Sequence, residues 1–233
     1  MLPALAVIVA AAVCVRLGFW QLDRWQDVRE RRAAQQTALA GEPVELGTAL
    51  PVSSPEPGTR VRLGGRYEPG SHLLLSGRTR LSDPGVVVAT VRVLPSGERV
   101  LVERGWMAAP DARTAHPENV PVTDEAVDGV VVAYARPPRP ATWTALPSDS
   151  AGVVLWSVRS LERDSCVARL GALAPFMVRV LPGPDDATGV LRPEPFVLED
   201  GGMHLGYAVQ WFGIALVIVA GAWALARRAA ARA

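Results

Sequence analysis

Between His204 and Ala226 the chain reads HLGYAVQWFGIALVIVAGAWALA, with no charged residue from Tyr207 onward. A bilayer core is crossed by a helix of about 20 mainly apolar residues. This run is long enough, and Arg227 and Arg228 close it. A buried helix of a soluble domain rarely runs so far without a charge. We therefore read 204–226 as a membrane-spanning helix and 227–233 as a basic tail. Its entrance is polar: His204, Tyr207, Gln210 and Trp211 bring an imidazole, a phenol, a carboxamide and an indole together within eight residues.

A second span is expected at the other end. LPALAVIVAAAVCV is apolar but short, and it continues through Arg16 into LGFWQL before Asp23. Taken together, residues 1–22 form a helix of spanning length. The rival is a cleaved signal peptide with VAAAV at its processing site. No basic segment precedes the apolar run and the helical pattern continues past it, so an uncleaved anchor is expected. DRWQDVRERRAAQQTALAG is rich in helix formers and extends the helix over 23–40, to a stop at Gly41.

Residues 41–200 are enough for one domain with its own core. TRVRLGGRY alternates polar and apolar residues. SHLLLSG, VVVATVRV, GVVVAYARP, GVVLWSVR and PFMVRVL are short apolar runs bounded by Gly, Pro and Ser. VRVLPSGERVLVERGW reads as a hairpin turning at PSGE. In LVERGW, plain alternation puts Val102, Arg104 and Trp106 on one face of the strand. One helix, SLERDSCVARLG, lies between the last two strands. The predicted fold class is a membrane protein of α+β type, with two transmembrane helices flanking a mostly antiparallel, β-rich extracytoplasmic domain.

Orientation follows from charge. The tail RRAAARA carries three arginines and no acid, which places it in the cytoplasm. Two spans then put both termini inside and the central domain outside. RWQDVRERR pulls the other way, but long loops translocate largely regardless of charge.

Formal net charge is +1, so no polyanionic partner is implied, nucleic acid included. All 24 basic residues are arginine, which fits coding bias as well as it fits phosphate binding. Cys14 lies in the first span and Cys166 in the outer domain. They cannot reach one another, and Cys166 reads as a small buried hydrophobe. Catalytic patterns are scarce. Ser148–Ser150 lacks the glycines of a nucleophile elbow, and no glycine-rich phosphate loop follows a strand. Asp185–Asp186 and Glu199–Asp200 read as solvated acids. No enzyme is expected.

The polar residues of the two spans meet at one membrane face. Arg16, Trp20 and Arg24 are four apart and share a stripe of the first helix. His204, Tyr207, Gln210 and Trp211 cover about a third of the second helix's circumference, with Gly206 and Gly213 opposite, where close helix packing is expected. Taken singly, each has a plain reading. Trp20, Trp25, Tyr207 and Trp211 suit an aromatic belt, Arg16 can snorkel, and His204 can mark the interface. An intramembrane arginine otherwise needs a partner or a cavity.

LGFWQLDRWQ, LVERGW and HLGYAVQWFGIA, in that order, resemble the three signature stretches of the surfeit locus protein family. The matching positions are Gly18, Trp20, Gln21 and Arg24, then Val102, Arg104, Gly105 and Trp106, then His204, Tyr207, Ala208, Gln210 and Trp211. Glu103 departs from the pattern where asparagine is common. The resemblance implies a two-span protein of the cell membrane that assists assembly of cytochrome c oxidase, a haem-copper enzyme of the respiratory chain. It implies a chaperone that helps deliver haem a, with the oxidase catalytic subunit and the haem a synthesis machinery as partners. On this reading His204 is the candidate metal ligand, since haem iron commonly takes a histidine. Tyr207, Gln210, Trp211, Trp20, Gln21, Arg24 and Arg16 complete the candidate cofactor site, with an arginine for a propionate. One histidine leaves the iron five-coordinate, or calls for a ligand from a partner or from a second copy in a homo-oligomer. The alternatives are a structural subunit or scaffold of a respiratory assembly, and a membrane-anchored hydrolase.

Overall fold

The computed structural model of the chain describes residues 2–46, 54–117, 124–147, 154–183, 189–196 and 201–231. It divides into two units. One joins Met1–Gln36 with Leu198–Ala233, and the other is Thr37–Val197.

The first unit is a pair of helices, α1 (Leu2–Ala40) and α3 (Gly202–Ala230). Both are long and apolar enough to cross a membrane. Gly18 lies against Phe212, Gln21 against His204, and Val28 against Gly201, so the helices run antiparallel. Their buried positions fall four, three and seven residues apart on α1 (Cys14, Gly18, Gln21 and Val28) and seven apart on α3 (Ala208 and Ala215). That spacing is the signature of a left-handed pair packed along one seam. Most of the seam is small, so the backbones can approach. The remaining apolar side chains, including Ile8, Val13, Val209 and Val217, face outward.

The glycines divide differently from expectation. A β-carbon on Gly206 or Gly213 would meet nothing within 4 Å, while one on Gly18 would stand 2.6 Å from the Phe212 ring. Close packing therefore uses Gly18, and Gly206 and Gly213 face away from the seam.

The second unit is a nine-stranded sheet in the order β1-β2-β6-β9-β5-β4-β3-β8-β7. The strands are β1 (Val44–Glu45), β2 (Arg60–Leu63), β3 (Arg66–Arg80), β4 (Asp83–Val93), β5 (Arg99–Ala108), β6 (Val127–Val132), β7 (Thr144–Leu146), β8 (Leu155–Val158) and β9 (Met177–Val180). The sheet is mixed, which corrects the expectation of a mostly antiparallel domain. β1–β2, β3–β8 and β5–β9 pair in parallel. The meander β3-β4-β5 is announced by local turns, with Gly97 at φ 88° closing the β4–β5 hairpin. The parallel partners lie far apart in the chain and leave no local mark. β1 and β7 form the two edges of the sheet, both short, of the kind that resists edge-to-edge association.

α2 (Arg163–Leu170) covers one face of the sheet. There Leu73, Leu75, Val87, Leu101, Trp106 and Met177 form a core with Cys166. Arg169 clamps the helix through cation–π contacts to Trp143 (4.1 Å) and Trp156 (4.9 Å). On the other face Tyr67, Val100, Val102 and Val178 form a second core, and Leu74, Val86, Val88 and Met107 a third.

Strand β5 does not alternate as its sequence suggests. Ala89 pairs with Glu103, but Val88 pairs with Gly105, so Arg104 is the extra residue of a β-bulge. Beyond it the faces exchange. Trp106 joins Leu101 in the α2-side core, opposite Val102, and not the Val102 face that plain alternation predicts. Gly105 has φ 142°, and a β-carbon there would fall 2.6 Å from the backbone of Arg192 and Pro193. That segment is bonded to Trp106 in both directions, N–H to carbonyl, at 2.7 and 2.8 Å. Glu103 is matched by Arg179 across the β5–β9 ladder at 2.6 Å, so the acid at this position brings its own counter-charge.

Trp106→Ala should lower stability by about 3–5 kcal/mol, as for other buried tryptophans. Gly105→Ala should also destabilise, because both the φ angle and the Arg192 backbone exclude a β-carbon. Thermal unfolding of the two variants checks this, and wild-type melting for either would contradict the placement. The cysteines give a second test. Both are free and buried, and burial pushes the Cys166 thiol up to about 12. A thiol reagent at pH 8 should label neither until the protein unfolds.

Candidate functional site

The helix pair brings part of the expected site together. His204 lies in the first turn of α3, its N–H bonded to the Gly201 carbonyl at 3.0 Å. Its Nδ1 stands 2.8 Å from Oε1 of Gln21. A carboxamide oxygen only accepts, so in this contact the imidazole donates from Nδ1. Gln21 is buried in the seam and His204 half-buried. Next along the seam, Phe212 covers Gly18 and meets Phe19 edge-on at 5.4 Å.

The other candidates flank this seam. Each residue turns a helix by about 100°. Counted from the buried positions, Arg24 lies at right angles to the seam on α1, and Trp20 further round. On α3, Tyr207 lies at right angles and Gln210 further round. Because the helices are antiparallel, these four fall on the same side of the pair. Phe19, Leu22, Leu205, Val209 and Phe212 occupy the opposite side. The pair thus has a polar and aromatic side and an apolar side. Trp20 and Tyr207 are about half exposed on the former. Trp211 is half-buried at the seam's edge. Arg16 is exposed and points away from the seam, so it does not join the others. Arg24 forms an exposed ion pair with Asp27 at 3.5 Å, a contact of small energetic weight.

A pocket of about 370 Å³ lies beside this site, lined by Trp25, Arg29, Arg32 and Gly201 among others. Arg29 stacks over Trp25 at 4.7 Å. Sequence reading passed over Arg29 and Arg32, although their three-residue spacing on the α1 extension marks one helical face. Among the described residues no cluster of three or more His, Cys, Asp or Glu side chains forms a metal site. Ser148–Ser150, Asp185–Asp186 and Glu199–Asp200 lie outside the described residues.

Gln21 and His204 should be energetically coupled. Replacing either by Ala strands a buried polar partner, at a cost of about 1–3 kcal/mol. Replacing both by Leu should cost less than the sum of the single changes. A double-mutant cycle on thermal unfolding in detergent measures this, and simple additivity would show that the 2.8 Å contact carries no coupling.

The sequence comparisons fit this architecture. The family model described as SURF1 family matches residues 8–216, covering most of α1, the whole sheet unit and half of α3. A SURF1-like protein of Rickettsia felis is 24% identical over 224 residues, 92% of each chain. A SURF1-like protein of Rickettsia bellii is 23% identical over 92% of this chain and 87% of its own. The cytochrome oxidase assembly protein SHY1 of Saccharomyces cerevisiae is 29% identical over 130 residues, 53% of this chain and 33% of its own. With the match running from the first helix through the sheet into the last helix, the chain belongs to the SURF1 family.

Proposed function

We propose that this protein is a non-catalytic membrane assembly factor for haem-copper cytochrome c oxidase, and that it assists delivery of haem a to the catalytic subunit. Family membership and the name of the yeast relative support the assembly role. The haem reading rests on one observation, the His204–Gln21 hydrogen bond. A histidine that ligates a metal nearly always donates its other ring N–H to an oxygen, which fixes tautomer and orientation. Gln21 supplies that oxygen and leaves Nε2 for iron. Tyr207 and Trp20 offer aromatic faces on the same side of the pair, and Arg24 offers a cation for a propionate. Haem a would be cargo here, held briefly and passed on. One chain contributes one such histidine, so a second ligand comes from the oxidase subunit, the haem a synthesis machinery or a second copy.

On this proposal the protein lies in the plasma membrane with both termini cytoplasmic and residues 41–200 extracytoplasmic, a reading supported by the two apolar helices and the basic tail. A second reading is favoured by the same bond. Gln21 already satisfies His204, so the pair can serve as a buried polar lock on helix register. The protein would then be a scaffold that steadies the subunit without touching haem.

His204→Ala and Gln21→Ala separate the two. In cells making either variant at normal levels, haem a content and oxidase activity should fall, more for His204→Ala. The purified wild type should carry an extractable haem pigment that His204→Ala lacks. Full oxidase haem in both variants, with no pigment on the wild type, would sink the haem reading and leave the scaffold.

A further inference from the structure

On the sheet face away from α2, two guanidinium groups are buried, and among the described residues neither forms an ion pair with a carboxylate. Arg92 of β4 is wholly buried. Its Nε donates to the Gly64 carbonyl at 2.9 Å, and its Nη2 to those of Gly65 at 2.7 Å and Glu125 at 2.5 Å. Arg104, the bulge residue of β5, is 7% exposed. Its Nη1 is buried and, among the described residues, has no hydrogen-bond partner; Arg92 Nη1 is in the same condition. Both guanidinium groups lie over the Tyr67 ring, at 4.7 and 4.8 Å.

Three described acids on the neighbouring strands are engaged elsewhere. Glu103 pairs with Arg179, Glu68 with Arg99, and Asp128 with Arg60 and Arg62. Tyr67 offers no negative charge, because burial holds its hydroxyl above the ordinary phenol range. Burial also pushes the Arg104 guanidinium down; Tyr67 opposes that push and the like charge of Arg92 adds to it. Stacking on a ring offsets only part of the cost of burying an unpaired ion. The carbonyls around Arg92 account for that residue. Nothing comparable accounts for Arg104.

We propose that Arg104, backed by Arg92 and Tyr67, is an oxyanion-binding site of the sheet unit that takes a carboxylate or phosphate group of a ligand. The fork of an arginine side chain matches two oxygens of such a group. The site lies within the sheet unit and does not rest on the haem reading. Arg104 stays on the Val102 side of β5, with Tyr67, while the bulge sends Trp106 to the other face.

The test is thermal unfolding of the full chain in detergent, in potassium formate, potassium phosphate and potassium chloride at equal ionic strength. At concentrations near tenfold the dissociation constant, the bound oxyanion should raise the melting temperature by about 2–5 °C over chloride. A response to formate assigns a carboxylate, and a response to phosphate assigns a phosphate. Arg104→Met should abolish the shift and melt in chloride no lower than wild type, since the buried charge has no partner there. Arg104→Lys, which keeps the charge and loses the fork, should show a smaller shift than wild type. Equal wild-type melting in the three salts overturns the site, as does a full shift in Arg104→Met. Melting of Arg104→Met below wild type in chloride also overturns it, by showing that the guanidinium is satisfied within the protein.

Discussion

Two backbones cross at Gly105 too closely for any side chain between them. The carbonyl of Arg192 and the nitrogen of Pro193 occupy the space a β-carbon would need, and the flanking Trp106–Arg192 hydrogen bonds hold the crossing shut. Much of the sheet follows from this. The bulge keeps Arg104 on one face and delivers Trp106 to the other. There the indole lies over Gly85 and completes the core beneath α2. A residue larger than glycine at 105 would have to part the strands or reverse the bulge. Either change would bring Trp106 out of its core.

The helix pair solves a different problem. Two apolar helices have little hydrophobic reason to associate within a lipid phase, so association depends on close approach and on polar contacts. Gly18, Cys14, Ala208 and Ala215 allow the approach, and Gln21 with His204 provides the polar contact. The same two side chains that fix register also set the imidazole tautomer. Structural and chemical roles therefore cannot be assigned to different residues here.

Much of this was legible in the sequence. Spanning length, the β3-β4-β5 meander, the turn at Gly97 and α2 all leave local signals of periodicity or turn chemistry. The parallel pairings leave none, because partner choice between β5 and β9 is decided by packing between segments nearly half the sheet unit apart. The bulge was hidden for a related reason: alternation assumes one residue per rung, and nothing within LVERGW announces an extra one. On α3, one-helix periodicity put His204 and Trp211 on one arc, and both are half-buried at the seam. It could not say which arc faces α1, so Gly206 and Gly213 were credited with packing that belongs to Gly18. Arg16 shared a stripe with Trp20 and Arg24, yet only the seam's direction reveals that it points outward.

The position of β9 has a kinetic consequence. This strand emerges late in synthesis yet lies between β5 and β6, paired to both. Until Met177–Val180 has left the ribosome, β1-β2-β6 and the β3-β4-β5 meander are two half-sheets with facing, unsatisfied edges. Open edges invite pairing with other chains, and late non-local closure is slow. The nascent chain is thus most exposed to misassociation just before its final strand docks, and a factor that shields the edges of β5 and β6 would act in that interval.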